Sequence, residues 1–230
     1  MKDHLDATYT TIHGDISRAD AIVLAQTTRK SENILEFGIG GSSYIIHQNA
    51  SQYASILHIE TEEPWNEHVK ETLRTHVPLK EYNATEMFEF VCMDTQYLKD
   101  IIKQTKEDYS FDKNAFDFEE GGHIAFSSDY DFIFNDGVAY LRYAFAEQTW
   151  KYLDPGGIMM FHDCKTPWAN NFIAKMLANH YDEISNIEIC PLDSNMGIIT
   201  KCAKRPYYNW NEIEKENNRD NIALEKGMFT

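Results

Sequence analysis

Ile34-Leu35-Glu36-Phe37-Gly38-Ile39-Gly40-Gly41-Ser42-Ser43 sets the architecture of this chain. It closes a short apolar run, Asn33–Phe37, and opens a segment of helical character, so its glycines fall where a strand hands over to a helix. Glycine lets the backbone turn tightly and approach a ligand with no Cβ in the way. The first N–H groups of the following helix have no partner within the helix and favour a carboxylate or phosphate. Glu60 stands 20 residues beyond Gly40, at the end of the next apolar run, where a carboxylate can accept both hydroxyl protons of a ribose.

Outward from that turn the same alternation recurs. Ser55–Glu60, Phe88–Cys92 and residues 131–135 and 158–162 each read as a buried strand, and the stretches between them are long enough for helices. Short, nearly continuous apolar strands separated by helices predict a doubly wound, mostly parallel α/β sheet covered on both faces. Helices are predicted over 17–28, 139–153 and 168–180. The second is expected to stop at Asp154-Pro155-Gly156-Gly157, because proline and glycine do not continue a helix. Runs at 187–190 and 196–202 predict a C-terminal hairpin, giving a seven-stranded sheet with an antiparallel edge. Residues 1–203 read as one domain with an insertion at about 103–128, and 204–230 as a charged tail.

The bulk properties narrow the class. Among 230 residues, 37 are acidic and 21 basic, a net charge of −16. Such a surface repels phosphate backbones and anionic lipid, which argues against nucleic-acid and membrane partners. No apolar run approaches the length of a membrane span, and the N-terminus has no apolar signal core. Cys92, Cys164, Cys190 and Cys202 are scattered without zinc spacing and read as reduced thiols. The expectation is a soluble, cytoplasmic protein acting on a small molecule.

By spacing alone the glycine turn also suits a dinucleotide, and an NAD-dependent oxidoreductase stays open. Three details tilt the reading elsewhere. Ser43 occupies the third position of a G-x-G-x-x-G pattern, Glu36 sits two residues before Gly38 where it can meet the amino group of a methionine moiety, and Leu153-Asp154-Pro155-Gly156-Gly157 precedes the fifth strand. The ordered set LEFGIGGSS (35–43), HIE (58–60), Asp94 after the third strand, DFIFNDG (131–137) and LDPGGIMMFHDC (153–164) resembles class I methyltransferases. The likeness, over about 22–201, is to small-molecule O-methyltransferases, especially macrocin-type sugar enzymes and more distantly catechol-type ones. It implies S-adenosyl-L-methionine as cofactor. Glu36, Gly38, Gly40 and Ser43 would cradle its methionine end, Glu60 its ribose and Asp94 its adenine, with Asp136 close by. It also implies a homodimer.

On the acceptor side Asp136 ends the fourth strand and Asp163 follows the fifth, so both carboxylates border one crevice. Like charges there call for a cation or a proton. The resemblance implies a magnesium ion on Asp136 and Asp163, although Cys164 at the third ligand position is too soft for it. It also implies a His or Lys base just after Asp136, where this chain has Gly137-Val138-Ala139-Tyr140. His162, His123 or Tyr140 would then substitute, with His162 and Tyr140 the named catalytic candidates. Otherwise the protein is a catalytically silent cofactor-binding regulatory or assembly subunit.

Overall fold

The computed structural model describes residues 16–76, 88–92, 114, 116–120, 124–127, 129–190 and 193–203. Asp94, His123, most of the 103–128 insertion and the 204–230 tail lie outside the described residues.

In chain order the elements are α1 (Arg18–Thr27), β1 (Asn33–Phe37), α2 (Gly41–Asn49), β2 (Ser55–Glu60), α3 (Glu63–His76), β3 (Phe88–Cys92), β4 (Tyr130–Asn135), α4 (Arg142–Thr149), a 3-10 turn (Trp150–Tyr152), β5 (Leu153–Phe161), α5 (Pro167–His180), β6 (Ile184–Ile189) and β7 (Gly197–Lys201). They form one seven-stranded sheet in the order β3-β2-β1-β4-β5-β7-β6. The first five strands are parallel, and β7 runs antiparallel to both β5 and β6. The expected doubly wound sheet with its antiparallel hairpin edge is the observed one.

Strand alternation distributes the side chains between two helical layers. Ile34, Ile56, Phe132, Phe134 and Met160 pack with Leu24 of α1, Ile46 of α2 and Leu73 of α3. Leu35, Phe37, Ile59, Ile133 and Met159 pack on the other face with Phe145 of α4 and Phe172 of α5. By the same alternation Glu36 and His58 share the α2 face, and the register sets them side by side.

The helix predicted over 17–28 is α1, whose end residues take the caps. Ser17 Oγ accepts from Asp20 N (3.1 Å) and Asp20 Oδ2 accepts from Ser17 N (3.1 Å), a reciprocal capping box. The 139–153 prediction needs correction. Helix α4 covers only Arg142–Thr149, and β5 begins at Leu153, running through the Pro-Gly-Gly stretch expected to precede it. A bulge accounts for this: Tyr130 pairs with Leu153 but Phe132 pairs with Ile158. The extra residues loop outward there, with Pro155 exposed, so no ladder hydrogen bond is asked of its nitrogen.

Lys201 closes this corner. Its buried ammonium donates to the carbonyls of Trp150 (2.8 Å) and Leu153 (2.7 Å) and lies 5.3 Å from the centre of the Trp150 ring. Lys201→Met is expected to lower stability by about 2–3 kcal/mol, since two buried carbonyls lose a charged donor. Urea denaturation checks it; an unchanged midpoint would mean that water replaces the ammonium.

Candidate functional site

Strand order reverses between β1 and β4, and the crevice at that switch point holds a cavity of about 260 Å³. The glycine turn supplies one wall, with Gly38, Ile39, Gly40, Gly41 and Ser42; Glu60 at the tip of β2 and Asp136, Gly137 and Val138 after β4 supply the others. Gly38 adopts φ +83°, a left-handed conformation that suits glycine. Its N–H donates to Ile59 O (2.9 Å), and Asp136 N donates to Phe37 O (2.8 Å), so the ladder pins the turn on both sides. From α3, Trp65 Nε1 donates to Ile39 O (2.7 Å).

Glu60 is buried at the cavity wall. Its Oε2 accepts from Ile39 N (3.1 Å), while Oε1 accepts from Thr61 N, Thr61 Oγ1 and Glu62 N at 2.6–3.1 Å. Oε2 therefore carries one of the two hydrogen bonds it can accept. Gly38, Gly40, Glu60 and Asp136, all named from the sequence, come together around one space.

Glu36 and Ser43 do not line that space. Both are fully buried beneath the turn. Ser43 Oγ accepts from Gly40 N (3.1 Å) and donates to Glu36 Oε2 (2.7 Å), which also bonds His58 Nδ1 (2.6 Å). His58 Nε2 lies 2.9 Å from His47 Nε2 on α2. Glu36, expected to meet an amino group directly, instead turns its carboxylate to Ser43 and His58, and so holds the serine that holds the turn. Its Oε1 is buried without a hydrogen-bond partner.

On the other side of the crevice stands a charge network only partly anticipated. Arg142, 6% exposed on the first turn of α4, inserts its guanidinium between the two carboxylates: Nη2 donates to Asp136 Oδ1 (2.8 Å) and Nη1 to Asp163 Oδ2 (3.1 Å). His162 is 1% exposed, with Nδ1 on Asp136 Oδ1 (3.1 Å) and Nε2 in ion-pair contact with Asp20 Oδ2 (3.5 Å). Asp20 is itself buried on α1 and accepts from Ser194 Oγ (2.8 Å) and Asn195 N (2.6 Å). Asp163, at φ +59°, also accepts from Asn195 Nδ2 (3.0 Å).

Burial alone would lower the His162 imidazole, but the carboxylates of Asp136, Asp20 and Asp163 push it up to about 10. Burial raises Asp20, yet His162, Ser17, Asn195 and Ser194 outweigh it and hold that carboxyl well below the usual range. Burial raises Asp136 against the pull of His162 and Arg142. His162 therefore stands as an imidazolium with both nitrogens turned to carboxylates. An imidazolium has no lone pair to take an acceptor's proton, which corrects the expectation of His162 as base. Tyr140 is half-buried on the turn beyond Val138 and does not line the cavity.

Asp136, His162 and Asp163 offer ligand atoms within 4.8 Å of one another. The donor set nevertheless does not fit the magnesium ion expected on Asp136 and Asp163. One oxygen of each carboxylate already faces the guanidinium, His162 Nδ1 is engaged by Asp136 Oδ1 (3.1 Å), and the Cys164 thiol, a soft group, donates to Phe161 O (3.2 Å). A further cation about 4 Å from the guanidinium would be repelled by roughly 4 kcal/mol per unit charge at an effective dielectric constant of about 20.

Arg142 and Asp20 were missed from the sequence. Their signals were an arginine six residues after Asp136, directly before the run Tyr143-Ala144-Phe145-Ala146, and an acid three residues after Ser17 at a helix start.

Neither a protein-family model nor a curated protein matches the sequence. Solved structures do. An O-methyltransferase from Bacillus cereus in complex with SAH is 14% identical, with a TM-score of 0.57 over 86% of this chain and 91% of that one. The O-methyltransferase TomG from Streptomyces achromogenes, involved in tomaymycin synthesis and in complex with SAM, is 13% identical, with a TM-score of 0.58 over 86% and 91%. The SAH-bound methyltransferase PaMTH1 of Podospora anserina is 13% identical, with a TM-score of 0.58 over 87% and 88%. Strand order, glycine turn and neighbours agree: the chain has the fold of class I S-adenosylmethionine-dependent methyltransferases.

Proposed function

We propose that the protein transfers a methyl group from S-adenosyl-L-methionine to an oxygen of a small hydroxylated acceptor of the sugar or phenol type. The observation that carries this is the cavity at the switch point, walled by the glycine turn on one side and the buried Glu60 carboxylate on the other. The residues fit the cofactor. Gly38 to Ser42 present a side-chain-poor wall to its methionine end, Glu60 Oε2 keeps acceptor capacity for a ribose hydroxyl, and the neighbouring folds named above were solved with SAM or SAH.

When bound, this cofactor supplies a methyl group already activated on sulfonium. The chain's task is then chiefly positioning: walls fixed by backbone hydrogen bonds hold two reactants in one orientation. The sealed His162 favours a second reading, a cofactor-binding regulatory or assembly subunit without turnover.

Calorimetry with SAM, SAH and NAD tests the cofactor, and methyl transfer to a panel of hydroxylated acceptors tests the reaction. Heat with SAM and SAH but not NAD is expected. No heat with either sulfur ligand would refute the assignment, and binding without turnover on any acceptor would leave the regulatory reading. Glu60→Gln is expected to weaken SAM binding at least about tenfold, about 1.4 kcal/mol, with an unchanged circular dichroism spectrum. Undiminished affinity would remove the ribose role from Glu60.

A further inference from the structure

The guanidinium of Arg142 spends every donor it has. Nε donates to Gly137 O (2.6 Å), Nη1 to His162 O (3.2 Å) and Asp163 Oδ2 (3.1 Å), and Nη2 to Asp136 O (3.3 Å) and Asp136 Oδ1 (2.8 Å). Those acceptors lie on the two loops that leave β4 and β5 at the crevice. One planar, permanently charged group thus cross-links both loops and offsets one of the two carboxylate charges while bonding both carboxylates. Guanidinium donors form a rigid fork, so the spacing of Asp136 and Asp163 is fixed by covalent geometry.

Paired carboxylates at these two strand ends form the kind of oxygen-donor set a hard divalent cation selects. Here the same pair is met from within the chain. We propose that Arg142 is a built-in cation occupying the electrostatic role of a divalent metal, so that the space between Asp136 and Asp163 admits no metal ion and catalysis proceeds without one. Arg142 is a positioning residue: its donors are all engaged by the protein, and its effect reaches the cavity through Asp136 and Gly137, which line it. Metal-independent turnover presupposes the methyl-transfer reading; exclusion of cations from the carboxylate pair does not.

Manganese is the probe, followed by the electron paramagnetic resonance signal of the free ion, which is lost on binding. Excess wild-type protein is expected to leave the signal unchanged. Arg142→Gln, which exposes the carboxylate pair, is expected to remove about one equivalent of the ion. Acceptor turnover by the wild type is expected to be unchanged by EDTA and by added magnesium. Manganese bound by the wild type and released in Asp163→Asn would overturn the proposal, as would turnover that EDTA abolishes and magnesium restores. A folded Arg142→Gln that binds no manganese would overturn it too. Should Arg142→Gln fail to fold, the wild-type titration still decides. Failure of SAM to bind would remove the methyl-transfer reading while leaving the manganese result standing.

Discussion

Gly38→Ala is expected to lower the melting temperature by at least about 10 °C, corresponding to roughly 4 kcal/mol or more for a chain of this size. Two effects add. A residue with a Cβ held at φ +83° bears a left-handed strain of about 1–2 kcal/mol. The Cβ itself would stand 2.4 Å from Asp136 O and 2.5 Å from Gly137 N, and these are backbone atoms with no rotamer to move. Relief requires β1 and the loop after β4 to separate, which breaks the Asp136 N to Phe37 O bond and displaces the oxygen that Arg142 Nη2 holds. Gly156→Ala is the control. It has nearly the same φ, +85°, but its nearest non-neighbouring atom is Ala203 Cβ at 3.8 Å, so only the strain of about 1–2 kcal/mol applies. Calorimetric melting of the two variants separates conformation from overlap. Equal losses would mean that the turn does not press on the β4 loop.

The strands around the turn are buried on both faces, so their apolar runs are nearly continuous, and β1, β2 and β3 stand at the residues their composition indicates. The start of β5 was not readable, because Pro155-Gly156-Gly157 carries a helix-stop signal whether it lies in a loop or in a bulge of the strand. What decides is the pairing of Leu153 with Tyr130, a tertiary fact.

Within the site, legibility followed sequence distance. The turn and Glu60 form a local unit, and the structure brings them to one cavity. Glu36 was given the right neighbourhood but the wrong partners. The alternation that places Ile34 toward α2 places Glu36 there also, against His58 of the adjacent strand and Ser43 of the helix. The bridge from Asp20 to Asn195 joins positions 175 residues apart, and no local pattern encodes it. Arg142 was hidden by the helix periodicity that revealed α4: its neighbours Tyr143, Ala144 and Phe145 dominate the pattern, while the arginine takes its meaning from carboxylates on two other elements.

The charge network makes a second large prediction, on stability against pH. The folded protein raises His162 from the ordinary imidazole value of 6.5 to about 10, so folding favours the protonated ring. That contribution is complete below pH 6.5, declines as pH rises above it and is gone past about 10; its size is up to roughly 5 kcal/mol. Asp20, held below its ordinary range, acts in the opposite sense, contributing at neutral pH and losing its effect only in strong acid. Cys164, pushed from 9.0 to about 12, adds a further decline only above pH 9. Asp136, which burial raises, lowers stability in the same direction as pH climbs, so the interval from pH 6.5 to 9 reads the hydrogen-bonded His162–Asp136 pair together. Urea midpoints across it are expected to fall steeply for the wild type and to fall less for His162→Gln, which is also expected to be less stable throughout, because Asp20 and Asp136 lose the cation between them. A wild-type stability that holds level over the same interval would mean a neutral ring at His162. The link from α1 to the tip of β4 would then be hydrogen bonding alone, and His162 would regain the free lone pair that a catalytic base needs.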